Sequence, residues 1–120
     1  MKLLLSENIK KDHRDDGRVI QKLFSGKLAE NFNSFAIYVV EIPAGTYVPI
    51  AYHTKSVKLY YFITSGSVSI NGDNYKFSPE DAVLIEPGEP HAILTESDTK
   101  LFEVKIPDES DKIVLQEDDG

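Results

Sequence analysis

The chain has 120 residues, 41% hydrophobic and 28% charged, the make-up of one globular domain with an ordinary core. Twenty acidic against 13 basic residues leave a net charge of −7, which argues against a nucleic-acid surface and against docking on an anionic membrane. With no cysteine, disulfides, thiolate metal ligands and thiol nucleophiles are all excluded.

The run Leu3-Leu4-Leu5 is too short for a secretory signal or for a membrane span of about 20 residues, so a cytoplasmic location is expected. Lys2–Leu5 and Arg18–Phe24 read as outer strands, the second also compatible with one helical turn. Residues 7–17 form a polar loop or extended arm in which His13 is a solvated residue, and residues 25–34 form a second polar connection. Phe35–Ile42 is rich in β-branched and aromatic side chains and stops at Pro43-Ala44-Gly45. The stretch after Pro49 reads as a loop carrying Ala51, Tyr52 and His53.

Leu59–Thr64 is the next strand, closed by Ser65-Gly66. Asn71-Gly72 then separates Ser67–Ile70 from Asp73–Phe77. Such a pair is a strong hairpin signal, because both central residues of the turn need φ > 0. A two-residue turn there sets Val68 opposite Tyr75 and Ser69 opposite Asn74. Ala82–Glu86, His91–Thr95, Leu101–Ile106 and Lys112–Leu115 complete the strands, and the acidic runs 107–111 and 117–119 read as solvated loops. Along Leu101–Ile106, the residues Phe102, Val104 and Ile106 look like the inward set, which turns Glu103 outward. Many short strands at about 8–12-residue spacing imply a sandwich or barrel.

The segment Glu86-Pro87-Gly88-Glu89-Pro90-His91 holds the main site signal. Pro87 removes a donor and ends a strand, Gly88 permits a tight turn, and Pro90 stiffens the exit, so His91 is set at the rim of a sheet. Around it, Gly88 and His91 match a pattern of glycine, five residues, proline, any, glycine, two residues, histidine, three residues, asparagine, with Glu80 at the first glycine position and Asp81 after it, Glu86 at the proline position beside Pro87, and Thr95 in place of the asparagine. Upstream, Gly45, Ala51, His53, Leu59 or Lys58, and Gly66 fall on glycine, five residues, His-any-His, three or four residues, glutamate, six residues, glycine. In these two motifs the chain resembles a cupin, a small jelly-roll barrel, over residues 35–106, about sixty per cent of the 120 residues.

The resemblance implies an all-β fold in a single domain spanning 1–120, with an N-terminal arm of 1–34 and an acidic tail of 107–120. It also implies homodimers. In metal-binding cupins two histidines and a glutamate of the first motif join the histidine of the second. Here only His53 and His91 stand at those positions, Ala51 and Leu59 (or Lys58) replacing the others. A first-row metal needs about three protein ligands, so no metal and no cofactor is expected, with Glu41 or Glu103 as an alternative third ligand.

The ligand-binding set is then His53, His91, Tyr61 and Tyr47. Tyr61 points inward with Leu59 if Leu59 takes the glutamate position. Lys58 reads as an exposed lysine, or as a point charge for a phosphate or carboxylate. The expected function is binding of a small molecule, by analogy a sugar or sugar nucleotide. Two alternatives stand beside it. One is a metal-free isomerase or epimerase using His/Tyr acid–base chemistry, and the other is a metal-dependent oxygenase or isomerase with a non-standard ligand set.

Overall fold

A computed structural model describes residues 2–27 and 34–115. The strands are β1 (Lys11–His13), β2 (Val19–Lys27), β3 (Ser34–Ile42), β4 (Tyr47–His53), β5 (Val57–Phe62), β6 (Gly66–Ile70), β7 (Asp73–Phe77), β8 (Ala82–Ile85), β9 (His91–Leu94), β10 (Thr99–Ile106) and β11 (Lys112–Val114). One sheet has the order β1-β2-β3-β10-β5-β8 and the other β11-β4-β9-β6-β7, with every pairing antiparallel. From β3 onward each strand crosses to the opposite sheet, except at the β6–β7 hairpin. This is the expected jelly-roll arrangement, all-β, with no α-helix among the described residues.

The hairpin forms as the sequence requires. Asn71 and Gly72 have φ of 51° and 87°, and the register sets Val68 against Tyr75 and Ser69 against Asn74. Elsewhere the expectations are revised. Lys2–Leu5 is not a strand, and the polar arm contains a 3-10 turn at Ser6–Asn8 followed by β1. The polar connection shrinks, because β2 runs to Lys27 and β3 begins at Ser34; the rest of it, and the tail from 116, lie outside the described residues.

The stretch read as a loop after Pro49 is strand β4. Val48 pairs with Ile93 and Ala51 with His91, so β4 spends one more residue than β9 between those pairs. That bulge accommodates Pro49, which has no N–H for the ladder, and it resets the alternation so that both Ala51 and His53 face inward.

Between the sheets, Val40, Ile42, Tyr60, Phe62, Val68, Ile70, Ile85, Ile93 and Leu101 form the core. Phe62 stacks on Phe77 with ring centroids 4.7 Å apart. The two ends of the sequence motifs are pinned together. Thr95, where the motif has asparagine, accepts the Thr46 N–H on Oγ1 at 2.9 Å, and its carbonyl accepts the Gly45 N–H at 2.7 Å. Glycine is needed at Gly66 for space, since a Cβ there would lie 2.8 Å from the Phe62 ring and 2.9 Å from Thr99 Cγ2. At Glu80, where the motif has glycine, φ is 75°, a region that costs an L-residue roughly 1–2 kcal/mol.

Two substitutions should therefore move stability in opposite directions. Gly66→Ala is expected to lower it by about 1–3 kcal/mol through overpacking against Phe62. Glu80→Gly is expected to raise it by about 0.5–1 kcal/mol. Urea unfolding checks both, as shifts of the midpoint at constant slope.

Candidate functional site

The barrel encloses a cavity of about 320 Å³, within the size range of small-molecule sites. Val40, Ile42, Val48, Ile93 and Leu101 supply its apolar wall. His53, His91, Tyr60, Lys58, Glu103 and Lys105 supply polar groups, and Arg14, Arg18 and Lys112 also line it.

His53 and His91 come together although they lie on different strands. His53 ends β4, His91 begins β9, and their rings stack with centroids 5.9 Å apart. The proline–glycine turn links them, because the Gly88 N–H donates to the His53 carbonyl at 2.8 Å. Gly88 has φ of 84°, the left-handed conformation that favours glycine.

Each imidazole is held through Nδ1. His53 Nδ1–H donates to Asp111 Oδ1 at 2.9 Å, and His91 Nδ1–H donates to the Glu89 carbonyl at 3.1 Å. A carboxylate and a carbonyl only accept, so the proton sits on Nδ1 and Nε2 keeps its lone pair in both rings. Nε2 of His53 is buried and has no hydrogen-bond partner among the described residues. An orphaned buried nitrogen on a cavity wall is a natural acceptor for a ligand atom or a water.

The electrostatics keep both rings neutral at pH 7. Burial pushes the His91 imidazole down to about 4, against a weaker upward pull from the Glu89 carbonyl. Burial likewise lowers His53, partly offset by Asp111. Asp111 itself is buried, which opposes its charge. The donors His53 Nδ1–H, Lys55 N–H at 2.8 Å and Ser56 N–H at 2.7 Å win, and hold its carboxyl well below the usual range.

Tyr60 is 4% exposed and its ring meets His91 edge-on at 6.5 Å. Burial pushes its phenol up to about 12, so it stays protonated. Lys58 Nζ lies 3.4 Å from Glu103 Oε1 and 5.7 Å from the Tyr60 ring centre. Burial opposes its charge, but the Glu103 carboxylate and a hydrogen bond to the Tyr60 oxygen outweigh burial and raise its pKa.

Several expected positions change. Tyr61 is 39% exposed and Tyr47 41%, and neither lines the cavity; Tyr60 takes the inward place. Lys58, not Leu59, shares the inward face of β5 with Tyr60 and Phe62, so the glutamate position of the motif holds a lysine. On β10 the inward set is Leu101, Glu103 and Lys105, one residue out of phase with Phe102, Val104 and Ile106. An apolar-inward reading fails there because the cavity wall is built from ion pairs. The acidic run 107–111 is not wholly solvated, since Asp111 is 9% exposed and anchors the site. Nothing in its local sequence distinguishes Asp111 from Asp108 or Glu109.

A metal, as the motif positions suggest, fits these residues poorly. Two imidazole nitrogens are available, but Ala51 and the Lys58 ammonium occupy the other ligand positions. Among the described residues no group of three His, Cys, Asp or Glu side chains is placed to hold a metal ion. Glu41 pairs with Lys100 instead, 3.7 Å away.

In sequence, no protein-family model and no curated protein matches this chain. In structure the chain is similar to KdgF from Halomonas sp., with TM-score 0.77 at 14% identity over 92% of this chain and 97% of that one. It is also similar to the polyketide cyclase RemF from Streptomyces resistomycificus, with TM-score 0.75 at 19% identity over 99% of this chain and 88% of that one. A third neighbour is a single-residue variant of Streptomyces PAC13 solved with uridine, with TM-score 0.73 at 14% identity over 97% and 91% of the two chains. The chain has the cupin fold, the double-stranded β-helix barrel of these neighbours. No helix among the described residues is long and apolar enough to cross a membrane.

The buried neutral histidines make stability depend on pH. The folded-state value of His91 lies below its ordinary 6.5, so stability is full above pH 6.5 and is lost as pH falls toward about 4. The expected loss by then is about 3 kcal/mol, with His53 adding in the same direction. Asp111 titrates below this window and does not offset the loss. Urea unfolding across pH 7 to 4 should show this slope, flattened in His91→Gln.

Proposed function

We propose that this cupin-fold chain binds a small organic molecule in the barrel cavity, without a resident metal, and moves a proton on it. The observation that carries this reading is the Asp111–His53 pair, with His53 on the cavity wall and its Nε2 buried and unpartnered among the described residues. A carboxylate behind an imidazole fixes its tautomer and steadies the imidazolium that forms when it takes a proton.

His53 is the base, since its neutral form is the one present at pH 7. Tyr60 is the acid, because its phenol keeps its proton. The reaction class is proton abstraction next to a carbonyl. Nε2 of His53 takes the proton from carbon, Tyr60 gives one to the carbonyl oxygen, and reversal from the resulting enol returns a proton to carbon. A sugar or sugar nucleotide matches the cavity's size and mixed lining, and a neighbour solved with uridine supports a sugar-bearing ligand. Lys58 in the motif's glutamate position supports the metal-free form.

Pairing into homodimers is also proposed. The outer face of the six-stranded sheet carries Val39, Leu59, Tyr61, Leu84, Phe102 and Val104, which are half-buried or exposed in the single chain. An apolar face across neighbouring strands is the kind of surface a second copy covers. Light scattering should give twice the chain mass, and Phe102→Glu should give a monomer.

The catalytic part is tested by deuterium wash-in from solvent into a panel of keto-sugars, followed by proton NMR. Exchange is expected with at least one member, reduced about 100-fold or more in His53→Gln. Asp111→Asn should lower the rate further than it lowers ligand affinity. Ligands that bind the cavity with no exchange anywhere in the panel would leave a binding protein and remove the acid–base role.

A further inference from the structure

The cavity wall breaks a rule of sheet pairing. Lys58 on β5 lies directly opposite Lys105 on β10, both facing inward. Like charges directly opposite each other destabilise a sheet, and here the side chains are only 13% and 14% exposed. Lys112, on β11 beside His53, adds a third ammonium. Departures from local rules of this kind mark functional positions.

The anions present leave one lining cation unmatched among the described residues. Glu103 takes Lys58 at 3.4 Å, and Asp111 lies 3.6 Å from Lys105 while holding His53 and two backbone N–H groups. Lys112 has no ion-pair partner among the described residues. Arg14 and Arg18 line the same cavity and pair with Asp12 and Asp16. In a chain of net charge −7, the lining carries five cations, of which Asp12, Asp16, Glu103 and Asp111 pair four and Lys112 is left over among the described residues.

We infer that the cavity recognises an anion, a small molecule carrying a phosphate or carboxylate group seated among Lys58, Lys105 and Lys112 with its uncharged part on the histidines. The inference rests on the cavity being the ligand site, and it names the ligand's charge. The crowded ammonium groups name the ligand's charge, and the buried His53 Nε2 without a partner among the described residues asks for a donor on its uncharged part. The crowding is also visible in Lys112, whose pKa is lowered by partial desolvation and then by the charges of Lys58, Arg18 and Lys105. An anion would relieve that repulsion. Lysines act as point charges and serve either anion, so the arms of the test must separate phosphate from carboxylate.

The test is an NMR titration of the ¹⁵N-labelled chain with glucose 6-phosphate, gluconate and glucose. At least one of the two anions should shift the amides of Lys58, Lys105 and Lys112 saturably, with affinity falling as salt is added. The tighter of the two names the group. Lys112→Gln, a substitution at an exposed position, should weaken that anion about tenfold. Lys105→Met, checked for folding by its spectrum, should do the same. If glucose shifts the same amides as tightly as the anions, the cavity still binds small molecules and the anion assignment falls. Anion affinity unchanged in both variants, or shifts spread over surface lysines such as Lys55 and Lys76, would also overturn it. With no shift at the cavity from any of the three, both readings fall.

Discussion

One carboxylate holds the functional end of this barrel in shape. Asp111 precedes β11 and reaches the β4–β5 connection, where its Oδ2 accepts the N–H groups of Lys55 and Ser56 and its Oδ1 accepts Nδ1–H of His53. Its own carbonyl accepts the Thr54 N–H at 3.2 Å, and the Ser56 hydroxyl closes the clasp on the Pro107 carbonyl at 2.7 Å. A buried ionised carboxylate is costly unless its lone pairs are filled, and here donors fill them. The same contact therefore joins a short edge strand to the barrel, charges a buried site and orients an imidazole. Those three roles are inseparable, because removing the carboxylate leaves two backbone donors and Nδ1–H without an acceptor.

From that anchor the barrel divides its interior. Phe62, Val68, Ile70 and Ile85 pack solidly and take no part in the cavity, while the neighbouring volume is lined by imidazoles, a phenol and ion pairs. Polar groups inside a small barrel are tolerable only where each has a partner or faces a ligand. Lys58 has Glu103, His91 has the Glu89 carbonyl, and Lys105 has Asp111 with the Glu109 carbonyl. Among the described residues His53 Nε2 is the exception, and it is the atom from which proton transfer is argued.

Much of the architecture was legible because it rests on local backbone chemistry. Asn71-Gly72 specifies a turn with φ > 0 at both residues, and Pro87-Gly88 ends β8 and places His91. Where tertiary pairing decides, local pattern misleads. The extra residue around Pro49 shifts the alternation in β4, so His53 reads as a loop residue although it is buried. In β5 and β10 the rule of apolar inward selects the wrong face, since Lys58 pairs with Glu103 and Lys105 with Asp111 inside. The same phase error exchanges Tyr60 for Tyr61. Asp111 has no signal at all in an acidic run, because its meaning lies in a contact with His53, 58 residues away.

The two histidines keep the spacing of a metal site while the remaining ligand positions have changed character. Ala51 faces His91 across the β4–β9 pair and offers no donor atom. Lys58 offers a positive charge where a carboxylate would stand, and a cation bound by two neutral imidazoles would meet that ammonium without a counter-ion of its own. Negative charge developing on a ligand meets the opposite situation, since Lys58 attracts it and the Tyr60 phenol donates to it. The turn that ties Gly88 to the His53 carbonyl also joins the end of β4 to the start of β9, where the two rings stack. A rigid pair of neutral imidazoles beside a fixed ammonium is thus a site with the polarity of a metal centre turned round. Its cation belongs to the chain, and its natural complement is an anion.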